Sequence, residues 1–347
     1  MKIILVILIL SSVLCIPVSG IAPTAPPAPE SALPYMPQEQ DSFGEGLIYI
    51  IKTAFMKLKP EFADASKIVL SVIIVVLLIS ILQTITEFSQ NTIQLTGSVI
   101  IGILLLSPIN ALVHLGSDTI LELTNYSKLL LPVMTSAMAA QGGITSSSAI
   151  YIGTVVFNAL LTTVISKIMI PALYIFLCIC IANSAIQNDT LNRIKTFIKW
   201  AITWALKIVL YVFTGYISIT GVVSGAVDAS ALKATKLTIS GVVPVIGNIL
   251  SDASETILIS SSVIKNSAGL YGIFAVIAVC IGPFLHISLQ YILLKIAGGV
   301  CGIFGYKPLC SLVDGFSTGM GFVLAMTGSV CIMLLISLVC FLRGIGI

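Results

Sequence analysis

The sequence predicts an all-α fold, a polytopic helical membrane protein with about seven to nine transmembrane or re-entrant helices. Three observations predict it. Long apolar runs such as KIVLSVIIVVLLISILQ (Lys67–Gln83) and IMIPALYIFLCICIA (Ile168–Ala182) recur between residues 67 and 343. Several reach the roughly 20 residues that cross a bilayer core of about 30 Å. Only 9% of the 347 residues are charged, 57% are hydrophobic, and the mean hydropathy is +1.12. A soluble domain has too little interior for that share of apolar side chains. In hydrocarbon each span must satisfy its own backbone, which makes these runs helices rather than barrel strands.

The first element, residues 1–20 (MKIILVILILSSVLCIPVSG), has one lysine, an apolar centre and small residues at Val18 and Gly20. That is the shape of a secretory signal peptide, with cleavage expected after Gly20 and an uncleaved anchor as the alternative. Residues 21–45 follow as an external linker; its stretch IAPTAPPAPESALPYMPQ carries six of the fourteen prolines and reads as flexible and extended. Over 46–66, Leu47, Ile51, Ala54, Phe55, Leu58 and Phe62 recur at helical spacing among Lys52, Lys57 and Lys59. This is an amphipathic helix, lying either on the membrane surface or against the membrane domain.

Residues 67–117 hold the first two spans, Ile68–Ile85 and Leu95–Leu115, with Pro108 expected to kink the second. Residues 118–230 and 231–347 read as two copies of one membrane repeat unit. At an offset of 112 residues Pro132-Val133 matches Pro244-Val245, and Pro-x-Leu-x-Ile-x-Leu recurs at 171–177 and 283–289. Spans are expected at Ser148–Ser166, Ile168–Ile186, Trp200–Val223, Ala268–Leu285, His286–Ile303 and Phe316–Leu342. If each unit crosses three times, the second copy is inverted, a plan that places a site at the repeat interface. The basic cluster Arg193, Lys195 and Lys199 assigns the 187–199 loop to the cytoplasm. Counting spans from an external residue 21 gives that side only if 118–140 also crosses, so the two signals conflict.

Chemistry is sparse. A net charge of +3 is too small to argue for nucleic acid, and none is expected as a partner. The eight cysteines include no CxxC pair and read as small hydrophobes, with a disulfide or metal role as the alternative. HExxH, Walker A and GxGxxG patterns do not occur, and neither an enzyme nor a cofactor is expected. Lys167 and Lys207 fall at or inside apolar runs; Lys207, after Trp200 and Trp204, reads as a snorkelling side chain. His114 and His286 read as hydrogen-bonded structural histidines.

The most informative polar segment is SGVVPVIGNILSDASETILISSSVIKN (Ser240–Asn266). A helix after Pro244 and Gly247 would carry Asn248, Asp252 and Glu255 on one face, with Lys265 as counter-charge. Carboxylates in a membrane domain are costly unless paired or wet. The strip therefore either lines a pathway or meets a partner, or it is the solvated face of an interfacial helix. Pro132 marks the corresponding place in the first unit. Gly221/Gly225, Gly298/Gly302 and Gly315/Gly319 are Gly-x-x-x-Gly pairs suited to close helix packing.

The block Ser240–Gly272, SGVVPVIGNILSDASETILISSSVIKNSAGLYG, resembles the most distinctive part of the stage III sporulation protein AE family of endospore-forming bacteria. The flanking order agrees, with a signal-like start, the LLLP segment at Leu129–Pro132, paired spans and a last span ending near Arg343. The resemblance implies a membrane component of the assembly joining mother cell and forespore, a trans-envelope channel complex. It further implies partners from the same sporulation operon and a forespore-side channel protein, and residence in the mother-cell membrane around the forespore. The mechanism it leaves open is a channel or transporter subunit, or a scaffold that assembles the other components.

Overall fold

Between residues 67 and 343 the apolar runs found in the sequence become parts of longer helices, and the signal-peptide segment 1–20 lies outside the described residues. The computed structural model describes residues 25–37, 43–85, 90–141, 143–242, 247–304 and 307–343, without the side chains at 84, 90, 221–267, 304 and 343. The helices are α1 (Phe43–Ile85), α2 (Gln90–Ala140), α3 (Ile144–Val164), α4 (Ile170–Ile186), α5 (Asp189–Val242), α6 (Gly247–Phe304) and α7 (Lys307–Arg343). One π turn, Ile165–Met169, joins α3 to α4 without a break. The segment Ile144–Ile186 is thus a single 43-residue helical run. At ~1.5 Å per residue such a run is about 65 Å long, roughly twice a bilayer core.

This continuity changes the span count. The pairs expected at Ser148–Ser166 with Ile168–Ile186, and at Ala268–Leu285 with His286–Ile303, are each one helix. Among the described residues six helical segments are long and apolar enough to cross a membrane. Helix α2 likewise runs on through Pro108 and Pro132. Proline removes one backbone donor, and a long helix held by neighbours on both sides tolerates that loss. At Pro171, second residue of α4, the π turn immediately upstream takes up the ring.

Side-chain contacts fix the direction of travel. Going up α2, Asn110 meets Tyr174, Thr124 meets Thr162 and Ser127 meets Asn158, so α3 and α4 run antiparallel to it. Gly116 faces Ile287 and Gly272 faces Leu130, so α6 is antiparallel to α2 as well. Helices α3–α4 and α6 therefore run the same way, each followed by one returning helix. Each expected repeat unit beyond Gly143 holds two long helices, and two parallel pairs are not related by inversion.

The same geometry removes the topological conflict. Helix α1 descends, α2 returns and Ile144–Ile186 descends again as one helical run. The corner at Gln187-Asn188 therefore lies at the opposite end from residues 25–43. The corner itself is local: Gln187 is left-handed at φ 54°, its N–H donates to Asn183 O at 2.9 Å, and Asn188 Oδ1 accepts from Thr190 N–H at 2.8 Å. Arg193, Lys195, Lys199 and Lys307 all sit near this end. Green fluorescent protein fused after Asn188 should fluoresce, and alkaline phosphatase there should be inactive. Fusions after Gln141 should show the reverse, and identical behaviour at both points would sink this orientation.

Helix α7 is the hub. Its most apolar stretch is 61% buried, against 28% for α1 and α5. Phe316, Met320, Val330, Leu334, Leu338 and Phe341 close its sides against α2, α3, α4 and α6. Helices α1 and α5 leave most of their apolar surface outward, where lipid is the natural solvent.

The proline-rich segment departs from expectation. Over the described residues 25–37 it is packed, not a free linker. Ala28 and Ala32 are buried, and Ala28 N–H donates to Tyr271 Oη at 3.1 Å. The Ser31 hydroxyl donates to Glu122 Oε1 at 2.7 Å. Tyr35 ends the strap; Lys57 Nζ stands 4.7 Å over its ring, and a Cβ at Gly282 would lie 2.8 Å from its hydroxyl. Burial, and behind it the Glu61 carboxylate, hold the Tyr35 phenol above its ordinary pKa. Alanine's small side chain fits between helices, and proline lowers the entropy lost on docking.

The start of α1 also buries a different face from the one the spacing suggested. Ile50, Thr53, Ala54 and Ala65 are covered, whereas Ile51, Phe55 and Phe62 are exposed. Small residues admit close approach to α6, where Phe43 stacks on Phe274 at 5.6 Å and Gly46 faces the same ring. The helix thus packs on the bundle and still presents apolar and basic residues outward.

A buried polar seam as the candidate functional site

Two helices of the membrane domain meet through hydroxyls and an amide rather than through hydrocarbon alone. On α3, Thr154, Asn158 and Thr162 recur every four residues and share one face. Opposite them on α2 stand Thr124 and Ser127. Asn158 Nδ2 donates to Ser127 Oγ at 3.0 Å, and Ser127 donates to Thr124 O at 2.7 Å. Thr124 Oγ1 lies 3.0 Å from Thr162 Oγ1 and 2.8 Å from Ile120 O; with its own proton on that carbonyl, Thr162 is the donor. Further up, Thr154 donates to Ser337 Oγ at 2.7 Å, which brings α7 into the seam.

The seam is buried and incompletely paired. Asn158 is 3% exposed and Thr154 and Ser337 are 0% exposed. Among the described residues, Asn158 Oδ1 has no hydrogen-bond partner; the Tyr126 hydroxyl of α2 has none either, but it lies toward Tyr271 of α6 rather than in the seam. A buried polar atom without a partner costs about 1–3 kcal/mol. In a membrane domain such groups mark a place where a polar guest or water is accommodated. Lower down, a crevice with room for about one water lies between Gly116 and Ser117 of α2, Ile165 of the π turn and Thr327 of α7.

A second knot clamps the basic end of the bundle. Gln94 Nε2 donates to Ser184 O at 2.6 Å, Ser98 donates to Ser184 Oγ at 2.9 Å, and Ser184 donates to Pro308 O at 2.9 Å. Its bonds are closed on one another, which suits a structural clamp. His286 Nε2 pairs with Glu61 Oε2 at 3.1 Å between α6 and α1, and Lys295 with Asp314 at 2.8 Å between α6 and α7.

The residues singled out from the sequence fall into three groups. Gly315 and Gly319 pack as expected: a Cβ at Gly315 would stand 2.6 Å from Cys180 Sγ, and one at Gly319 2.9 Å from Leu177 Cδ2. Gly298 is tight against Asp314, whereas Gly302 has nothing within 4 Å. Pro132 is exposed on α2, His114 is exposed on the same helix, and Lys167 and Lys207 are exposed. Helix α6 begins at Gly247, so Asn248, Asp252, Glu255 and Lys265 stand on a helix, as Gly221 and Gly225 do on α5; the side chains of the four and Pro244 lie outside the described residues. The Thr154-Asn158-Thr162 face went unread, although its four-residue spacing inside an apolar run was visible.

The family model described as Stage III sporulation protein AE matches residues 38–343. This chain belongs to that family. A relative bearing the same name in Bacillus subtilis (strain 168) is 22% identical over 295 residues, covering 83% of this chain and 73% of its own length. No solved structure matches the fold. Family membership places the chain in sporulation, and the matched region takes in the seam, the acidic strip of α6 and all six long apolar segments.

Proposed function

We propose that this chain is an integral membrane component of the mother cell–forespore trans-envelope channel complex, and that its polar seam serves the passage of small solutes toward the forespore. The observation that carries the solute reading is the unmet polar atom Asn158 Oδ1, inside an apolar core. A purely structural interface has reason to close such bonds, as the Gln94–Ser98–Ser184 clamp does. Its partners in this reading are other membrane proteins of the same sporulation operon and a forespore-side channel protein, and its site is the mother-cell membrane around the forespore.

A scaffold is the second reading. It is favoured by the fully buried Phe176, Phe213, Phe316 and Phe341, which fill the described interior around α7. Asn158→Leu separates the two, because it keeps the volume and removes the amide. The expected result is a complex that assembles and is captured intact by pull-down while forespores arrest. Normal sporulation in cells carrying this sole copy would refute the solute reading. Loss of assembly with the protein still in the membrane would favour the scaffold. Asp252→Asn with Glu255→Gln, scored in the same two assays, is expected to behave as Asn158→Leu does.

A further inference from the structure

Helix α5 carries an aromatic ladder that is exposed among the described residues. Phe197, Trp200, Trp204 and Tyr211 recur at three-, four- and seven-residue steps on one face and are 63%, 55%, 47% and 68% exposed. The rings are mutually ordered: Phe197 and Trp200 stack at 5.9 Å, and Trp200 and Trp204 lie at 6.3 Å. Lys207 stands on this same face three residues beyond Trp204, and Arg193 four residues before Phe197. Both are exposed, and among the described residues neither forms an ion pair.

Position and charge together define an occupant. The ladder begins two turns into α5, at the end of the bundle where Arg193, Lys195, Lys199 and Lys307 gather, and it runs into the apolar stretch of the helix. Tryptophan at such a boundary rests its ring at headgroup level with its N–H toward polar groups. Helical side chains lean toward the N-terminus, so Lys207 leans back toward Trp204 and the basic end rather than deeper into hydrocarbon. Its ammonium is therefore directed toward Trp204, one turn back. Arg193 lies outward, at the aqueous edge. A positive group without a counter-charge, flanked by two indole donors over an open apolar face, complements a phosphate ester carrying acyl chains.

We propose that this face of α5 binds an anionic phospholipid, with the Lys207 ammonium and the Trp200 and Trp204 indole N–H groups on its phosphate, and the acyl chains along Ile208, Tyr211 and Val212. Arg193 draws the same headgroup from the aqueous side. Lys199, turned away from the ladder by helical spacing, does not contribute.

The two tryptophans of the ladder are the only two in the chain, so its intrinsic tryptophan fluorescence reports this face alone. The full chain is placed in phosphatidylcholine nanodiscs containing a minority of brominated phosphatidylglycerol or the same fraction of brominated phosphatidylcholine. Stronger quenching by the brominated phosphatidylglycerol is expected, weakening as salt rises. Lys207→Gln should cut that preference about fivefold, the factor for one basic residue near an anionic surface. Arg193→Gln should reduce it further, and Lys199→Gln should leave it unchanged, with helix content checked by circular dichroism. Equal quenching by both lipids would reduce the ladder to ordinary annular contact and overturn the proposal. Absence of quenching by either would mean that protein covers the ladder, and would overturn it too. A loss with Lys199→Gln equal to that with Lys207→Gln would replace the site with diffuse surface charge.

Discussion

Gly319→Leu is expected to separate α7 from α4 and leave little folded protein in the membrane. The first atom added at Gly319 meets Leu177 Cδ2 at 2.9 Å, with Leu173 Cδ1 behind it at 3.4 Å. Leu173 and Leu177 are themselves fully buried, so neither has space to yield. Overpacking of this kind costs about 1–3 kcal/mol when the core relaxes, and more when it cannot. Helix α7 touches most of its neighbours, so displacing it disturbs the seam through Ser337 as well. The measurement is thermal unfolding of the detergent-solubilised chain beside Gly302→Leu. That control has the same spacing motif, nothing within 4 Å, and an expected change near zero. Equal effects of the two substitutions would show that close packing at Gly319 is not what holds α7.

Ala32→Trp is expected to have the next largest effect. Ala32 is 0% exposed beneath the proline-rich strap, at the end of the hydrogen bonds from Ala28 and Ser31. An indole has no room there, so residues 25–37 should leave the groove between α2 and α6. Release costs about 1–3 kcal/mol and becomes visible as rapid cleavage of the segment by added protease, because an undocked proline-rich stretch is open to attack. Leu33→Trp, at a position 58% exposed, should leave cleavage as slow as in the parent chain. If Ala32→Trp also leaves it slow, the strap is not held by that contact.

The sites that were legible in advance share a short-range physical signature. Gly315 and Gly319 were found because a missing Cβ at four-residue spacing is itself the packing device, whatever helix lies opposite. The basic cluster at Arg193–Lys199 was found because charge at a span's end is read locally. The seam was not found, because Asn158 and Thr162 acquire meaning only when Ser127 and Thr124 arrive from a helix 31 and 38 residues away. The strap was misread for the same reason. Proline-rich composition describes how the segment behaves alone, and Tyr271, 243 residues beyond Ala28, is what holds it.

Hydropathy by itself determined that the chain is helical and embedded in membrane, because the backbone's demand for internal hydrogen bonds in hydrocarbon admits little else. It also determined that most side chains would be chemically silent. Where one helix stops and the next begins was decided by tertiary structure. A hydrophobic run records only how much apolar surface a segment carries, and neighbours sharing the cost of a proline or a π turn let two runs continue as one. That continuity set the number of long helices and the end at which Gln187-Asn188 lies. It also brought Asn158 opposite Ser127.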